Sequence, residues 1–288
     1  MTDEPLAVVA GGTGFIGRAV TDGLSATGWR VRTLGRGQSG PVDVVADLGT
    51  GSVPEAALAG ARVLLHLVGR VRETEAGGLA PVHVTGTRAL LAAARRAGVE
   101  RVVFISALGA DPAGVTAYFR TKAAAEDLVR GWGGQFAILR PAPVFGAGAQ
   151  LFRLLADQVQ HWPLVPVPGP GTARWQPVAL TELVGAVVRV AAGAADGQTV
   201  AAVGPEVLTY DQLLASLANR LGRPLRLVHL PLGPLLLAAG LAAAWRLPLP
   251  ATPDQLRMLT VDLLADPGPF ADLLPPGPRL LFSQDPSI

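Results

Sequence analysis

The stretch LAVVAGGTGFIGRAV, Leu6–Val20, decides how the rest of the chain is read. Five apolar residues predict a buried strand, and a glycine-rich turn follows at once. From Phe15 onward the apolar positions recur with helical spacing. Gly11, Gly14 and Gly17 stand between the two in G-x-x-G-x-x-G spacing. A tight strand-to-helix turn of this kind lets backbone approach a pyrophosphate, which rests on the free N–H groups of the helix N-terminus. Glycine alone is weak evidence in a chain with 35 glycines. The context of strand, turn and helix gives the motif its weight, and dinucleotide binding is the reading it supports.

Outward from this turn, short apolar runs alternate with helical patterns. The strands are Leu6–Ala10, Arg30–Leu34, Val42–Ala46, Arg62–Val68, Arg101–Ser106 and Phe136–Arg140, several of them near-continuous Val/Ile/Leu runs. Such runs predict strands covered on both faces, and the alternation predicts a doubly wound parallel α/β sheet of Rossmann type. Between them, FIGRAVTDGLSATG, PEAALAG, PVHVTGTRALLAAARRAG and TAYFRTKAAAEDLVRGWG carry helical periodicity. After Arg140 the texture changes to Pro- and Gly-rich loops around a helix at Leu151–Val159. The segment TELVGAVVRVAAG then predicts a helix, and QTVAAVG a strand that rejoins the sheet. Helices at Thr209–Leu221, Pro234–Trp245 and Thr252–Leu264 surround one strand, LRLVHL. The expected division is a dinucleotide-binding domain over 1–145, rejoined by 178–204, and a smaller, mostly helical substrate lobe over 146–177 and 205–288.

Composition narrows the chemistry. Half of the 288 residues are apolar, 16% are charged, and the net charge of +2 is spread without a basic run, so nucleic acid is not an expected partner. The absence of cysteine removes disulfides, thiolate ligands and cysteine nucleophiles, and four scattered histidines show no metal-ligand spacing. The acidic start enters a strand at once, so no secretory signal is expected and the cytoplasm is the expected location. Leu227–Trp245 is uncharged, but Pro231 and Pro234 leave about a dozen helical residues where a span needs about 20. A buried or interfacial helix is expected there, so peripheral membrane contact stays open.

The second strand ends in TLGRGQ, with Arg36 and no carboxylate. An acid at that point would favour NAD(H) by accepting from a ribose hydroxyl, whereas arginine suits a 2′-phosphate, so NADP(H) is the expected cofactor. Asp47, in VVADL, is placed for the adenine amino group or for a loop cap. Lys122 is the sole lysine beside 23 arginines, and it follows Tyr118, one of two tyrosines, by four residues on a predicted helix. That spacing puts the two on one face. A nearby ammonium stabilises a tyrosinate, which makes proton exchange with a carbonyl or alcohol feasible.

The motifs GGTGFIG, VVADL, LHLVGR, FISALGAD, YFRTK and LRPAPVFGAG, in this order, resemble those of short-chain dehydrogenases/reductases. They are most similar to the extended and atypical branch, which includes NAD-dependent epimerases/dehydratases, NmrA-like proteins and the NDUFA-type subunit of respiratory complex I. By position, the resemblance implies that Gly11, Thr13, Gly14, Phe15, Ile16 and Gly17 form the pyrophosphate turn. Arg36, Asp47 and Leu48 would surround the adenosine, Val68 and Gly69 would lie beneath its ribose, and Pro141 and Val144 would line the nicotinamide pocket. Tyr118 would be the acid/base and Lys122 its partner, which also holds the nicotinamide ribose. The family's carbonyl-polarising serine is the second of a Ser-Ser-like pair, and here the pair reads Ser106–Ala107. Ser106 is thus one position early or faces elsewhere.

The substrate wall is expected between Phe145 and Pro177. Phe152, Trp162, Val165, Val167 and Trp175 would be its apolar surface, with Arg153, Arg174 and Gln176 as polar exceptions, although each aromatic taken singly reads as lobe core rather than ligand contact. His66, His83 and Tyr210 are expected to be structural. The leading functional expectation is an NADP(H)-dependent oxidoreductase for a small apolar carbonyl or alkene. The alternatives are an NAD-dependent epimerase/dehydratase and a non-catalytic NADP(H)-binding or redox-sensing subunit that docks on protein partners. A homo-oligomer stays open as well.

Overall fold

Strands β1 (Leu6–Ala10), β2 (Arg30–Gly35), β3 (Val44–Val45), β4 (Ala61–His66), β5 (Arg101–Ile105) and β6 (Gln135–Pro141) lie close to the periodicities of the sequence. Helices α1 (Phe15–Ala26), α2 (Gly86–Arg96) and α3 (Ala117–Arg130) connect them. There follow β7 (Val144–Phe145), α4 (Gln150–His161), β8 (Val165–Pro168), β9 (Arg174–Trp175) and β10 (Val178–Ala179). The chain then continues through α5 (Leu180–Ala191), β11 (Gln198–Ala202), β12 (Leu208–Thr209), α6 (Tyr210–Leu221), β13 (Leu227–Leu230), α7 (Leu232–Ala244), α8 (Pro253–Met258) and α9 (Gly268–Ala271). This is a computed structural model, and it describes residues 4–38, 40–72, 78–245 and 251–284.

The chain forms two compact units. The first comprises Met1–Pro141, Leu180–Ala202 and Pro267–Pro276. Its seven strands run in the order β11-β6-β5-β4-β1-β2-β3, and the pairs are parallel. β1 is an interior strand, between β4 and β2, and fully buried, as its unbroken apolar run requires. The expected return of QTVAAVG to the sheet is met by β11, whose Val200 pairs with Leu139. Val8, Leu64, Phe104 and Ile138 from the strands pack with Leu90 and Val129 from the helices, and with Trp132 just beyond α3, in one core.

Two elements are shorter than their patterns predict. VDVVA yields only Val44–Val45, because β3 is the sheet edge and Asp43 is bonded by the Thr33 N–H and hydroxyl rather than continuing the ladder. PEAALAG forms a single 3₁₀ turn, Glu55–Leu58, with Pro54 ahead of it and Ala59 extended after it.

The second unit comprises Ala142–Ala179, Val203–Asp266 and Gly277–Ile288. Phe145, Phe152 and Phe282 pack with ring centroids 4.8 to 6.4 Å apart, and Trp175 meets Tyr210 edge-on at 5.5 Å. The helix expected at Thr252–Leu264 is only Pro253–Met258, started by a Thr252–Gln255 capping box. It stops because Arg174 takes the residues that follow. The Arg174 carbonyl accepts from Leu263 N at 2.8 Å, and its guanidinium binds Asp262 at 2.6 Å.

Of the two readings of the expected substrate wall, lobe core is the one met by all but Trp162. Phe152, Val165, Val167 and Trp175 are buried in this unit's core, and Gln176 accepts from Ala265 N at 2.7 Å. Burial of these large apolar groups stabilises the unit itself, by about 1.5–3 kcal/mol per side chain. Of the five apolar residues named, only Trp162 is exposed.

Candidate active site

The glycine turn folds as the sequence demands. Gly11 adopts φ +89°, a left-handed conformation suited to glycine, and its N–H is taken by Leu34 O at 2.8 Å. A Cβ on Gly17 would sit 2.1 Å from Gly11 O, so only glycine lets α1 begin this close to the turn. Gly14 caps α1 without a side-chain bond, and no acidic residue stands in the first turn. The N–H groups that open the helix, at Phe15, Ile16 and Gly17, therefore face neither a capping oxygen nor a carboxylate. Such a terminus fits an anion.

An open cleft lies over this turn in the first unit. Gly11, Thr13 and Gly14 line it with Gly35, Arg36 and Gln38 from the end of β2, and Asp47 and Leu48 after β3. Val68, Gly69 and Arg70 after β4 and Val82 complete the wall. Of the residues expected to hold the cofactor, Gly11, Thr13, Gly14, Arg36, Asp47, Leu48, Val68 and Gly69 are thus gathered around one cleft. Arg36 is exposed at its rim. Asp47 caps the turn that follows, its Oδ1 accepting from Gly49 N at 2.9 Å. Asp43, which could have offered a second carboxylate near β2, instead holds Thr33 through Oδ2. Pro141 ends β6 and its carbonyl accepts from Leu108 N, while Val144 lies in the second unit paired with Val178.

α3 carries the two side chains expected to react. Thr116 caps it, accepting from Phe119 N at 3.3 Å, and Tyr118 and Lys122 follow one turn apart. Lys122 is buried. Its Nζ donates to Ile105 O at 2.9 Å and sits 4.8 Å from the Phe104 ring centroid. A Cβ on Gly69 would meet that Nζ at 3.2 Å, which places the ammonium against the cleft wall. Burial pushes the lysine down to about 8, with Glu126 opposing the fall. Tyr118 is pushed up to about 12 by burial. Burial alone accounts for this rise, and the expected lowering of the phenol by Lys122 does not enter it.

His83, expected to be structural, has a definite task. Its Nε2 accepts from Arg70 N at 3.0 Å, so the proton lies on Nδ1, which donates to Thr121 Oγ1 at 2.8 Å. The imidazole thus ties the loop after β4 to α3, and its ring stands edge-on to Tyr118 at 5.8 Å. Burial, with Lys122 and Arg70 adding repulsion, pushes His83 down to about 3, so the tie does not titrate near neutrality. His66 is held in the same way at about 3 by burial, with its Nε2 bonded to Thr87. Neither Arg70 nor His83 has a local pattern that marks it. The clue in the sequence is only their place, directly after β4 and on the helical turn that faces α3.

Ser106 faces elsewhere. Its buried hydroxyl has no partner of full hydrogen-bond geometry, yet it lies near enough to Glu126 to help hold that carboxylate. Glu126 is eight residues beyond Tyr118, about 12 Å of helix rise. Burial pushes Glu126 up, but Arg140, Ser106 and Arg130 outweigh it and hold the carboxyl below its usual range. Arg140 binds it at 2.6 and 2.8 Å and Arg130 at 2.7 Å. Ser106 thus lies near the Glu126 carboxylate, and Ala107 follows it with no polar side chain.

Known proteins share this frame. The model of the NAD dependent epimerase/dehydratase family matches residues 7–204. A ceramide reductase of Caulobacter vibrioides is 30% identical over 258 residues, covering 82% of this chain and 77% of that protein. The mitochondrial NADH dehydrogenase (ubiquinone) 1 alpha subcomplex subunit 9 of Arabidopsis thaliana is 29% identical over 243 residues, covering 78% of this chain but 60% of that one. Among solved structures, a UDP-glucuronic acid 4-epimerase from Bacillus cereus, in complex with UDP-glucuronic acid and NAD, aligns with a TM-score of 0.74 at 17% identity over 96% of this chain and 95% of that chain. At that identity the likeness is one of fold. Among the described residues no cluster of side chains could hold a metal, and no helix is long and apolar enough to cross a membrane.

Proposed function

The chain belongs to the NAD-dependent epimerase/dehydratase family, and from that premise we propose that it is an NADP(H)-binding reductase for a small apolar carbonyl or alkene. The observation that carries the reading is the place of Lys122. Its buried ammonium lies against Gly69 in the wall of the glycine-turn cleft, one helical turn from Tyr118. A nicotinamide dinucleotide held there would supply or accept the hydride. Gly11, Thr13, Gly14 and the open N-terminus of α1 would hold its pyrophosphate. Arg36 would answer a 2′-phosphate, Asp47 and Leu48 would flank the adenine, and Val68, Gly69 and Lys122 would bind the riboses.

Tyr118, at about 12, is protonated at neutral pH and so stands ready as an acid. As hydride reaches the carbonyl carbon, the phenol O–H bond breaks and the proton goes to the carbonyl oxygen, leaving an alcohol and a tyrosinate. Lys122, at about 8, is mostly charged at neutral pH and would be the counter-charge for that tyrosinate once it forms.

The test is paired. Calorimetry should give tighter binding of NADPH than NADH, and Arg36→Ala should remove most of that preference, about tenfold or more. Turnover on a panel of aliphatic and aromatic aldehydes with NADPH should vanish in Tyr118→Phe with binding retained. Equal affinity for the two cofactors would overturn the NADP(H) assignment.

One observation favours a second reading, a cofactor-binding subunit that performs no turnover. Ser106 turns to Glu126 and Ala107 offers no polariser. The similarity to subunits of NADH dehydrogenase points the same way. Tight NADPH binding without turnover on any carbonyl or alkene of the panel would select it. A family epimerase or dehydratase would instead form product with no net change in reduced cofactor.

A further inference from the structure

We propose that α7, in the second unit, is a peripheral docking element for an anionic bilayer surface. On a surface helix the outward stripe should be polar. Here the exposed positions Pro234, Leu237, Ala238, Leu241 and Trp245 recur at helical spacing and include no polar side chain. Leu237 is 66% exposed, Leu241 56% and Trp245 78%. Among the described residues of α7 only Ala239 is fully buried, and this sparse anchoring leaves Leu237 and Leu241 in water.

Charge complementarity selects the occupant. Between Asp211 and Asp254 the sequence holds four arginines and no acidic residue. Arg223 and Arg226 are exposed just ahead of β13, the strand that leads into α7. The Arg226 carbonyl accepts from Val165 N at 2.9 Å, which brings Trp162 and Leu164, 47% and 52% exposed, alongside that basic segment. A tryptophan at the end of an apolar helix, with arginines nearby, suits the headgroup boundary. α7 has 13 residues, about 20 Å of rise, short of the ~30 Å hydrocarbon core, so it would lie in the interface plane. A symmetric contact with a second copy would set these arginines against their own counterparts, which disfavours that occupant.

The experiment uses the full chain and two vesicle types, phosphatidylcholine alone and phosphatidylcholine mixed with phosphatidylglycerol. Wild type should sediment with the mixed vesicles and bind less in high salt. Leu237→Gln with Leu241→Gln should weaken binding about tenfold or more. Arg223→Gln with Arg226→Gln should remove the preference for phosphatidylglycerol. Unchanged NADPH affinity and circular dichroism show that the variants fold, and Trp245→Ala repeats the test if the leucine pair does not. Absence of vesicle binding, or binding that ignores the α7 variants, overturns the proposal. Overturning it equally would be a wild-type dimer in sedimentation velocity that the leucine variant dissociates, without any affinity for vesicles.

Discussion

Replacing Lys122 with methionine isolates what it costs to bury an ammonium beside the cleft. The lysine is held at about 8 against an ordinary 10.5, chiefly by desolvation. Between those values the unfolded chain binds a proton that the folded chain has released, so stability rises with pH across that window. At about pH 10 the folded lysine is almost wholly neutral while most unfolded copies remain charged. At about 1.4 kcal/mol per tenfold, the wild type should gain roughly 2 to 3 kcal/mol between about pH 7.5 and pH 10 relative to Lys122→Met. The neighbours do not disturb the comparison. His66 and His83 stay neutral at about 3, Glu126 stays ionised, and Tyr118 is present in both proteins. Guanidinium titrations at the two pH values, followed by circular dichroism, give the difference directly. A gap between wild type and Lys122→Met that stays constant with pH would refute the claim that this ammonium is desolvated. The same result would weaken its assignment as a tuned partner of Tyr118.

The remaining predictions concern the scaffold around that lysine. Glu126→Gln should cost about 2–3 kcal/mol near neutral pH, because Arg140 and Arg130 lose a buried counter-charge but are themselves part-exposed. Since the folded carboxyl is held low, this stabilisation is full above the ordinary value and fades as pH falls through the folded one, so the variant and wild type should converge in acid denaturation. Gly17→Ala drives a methyl to 2.1 Å from Gly11 O, and calorimetry should show NADPH binding lost together with about 1–3 kcal/mol of stability. His83→Phe removes both the acceptor for Arg70 N and the donor to Thr121. Cofactor affinity should fall about tenfold, equally at pH 6 and pH 9, since the imidazole is neutral throughout; a loss that grows toward acid would disprove the neutral tie.

Much of the frame was legible before any coordinates. β1, the glycine turn and α1 follow from five apolar residues, a glycine spacing and a period of 3.6, and they fold as expected. The alternation of strands and helices fixes a parallel sheet, and the late strand Gln198–Ala202 returns to it beside β6. Lys122 stood out because every other cation is an arginine, and its placement on one helix face with Tyr118 needs only local geometry. These inferences share a cause: backbone conformation and facing are set by residues within a few positions of one another.

Only the tertiary structure decided the rest. VDVVA reads as a full strand, yet an edge strand has one neighbour, and the Thr33–Asp43 bonds shorten it. Trp175 and Phe152 read as pocket or core until burial made them core. Ser106 is aimed by its place at the end of β5 toward Glu126 on α3, and the Glu126 carboxylate is held by Arg140 on β6. His83 joins Arg70 to Thr121, 13 and 38 residues away. The sequence alone determined what each segment is and which residues have the chemistry. Which side chains meet, how far each is removed from water, and hence whether a phenol is an acid or a base, depends on contacts that no local pattern encodes.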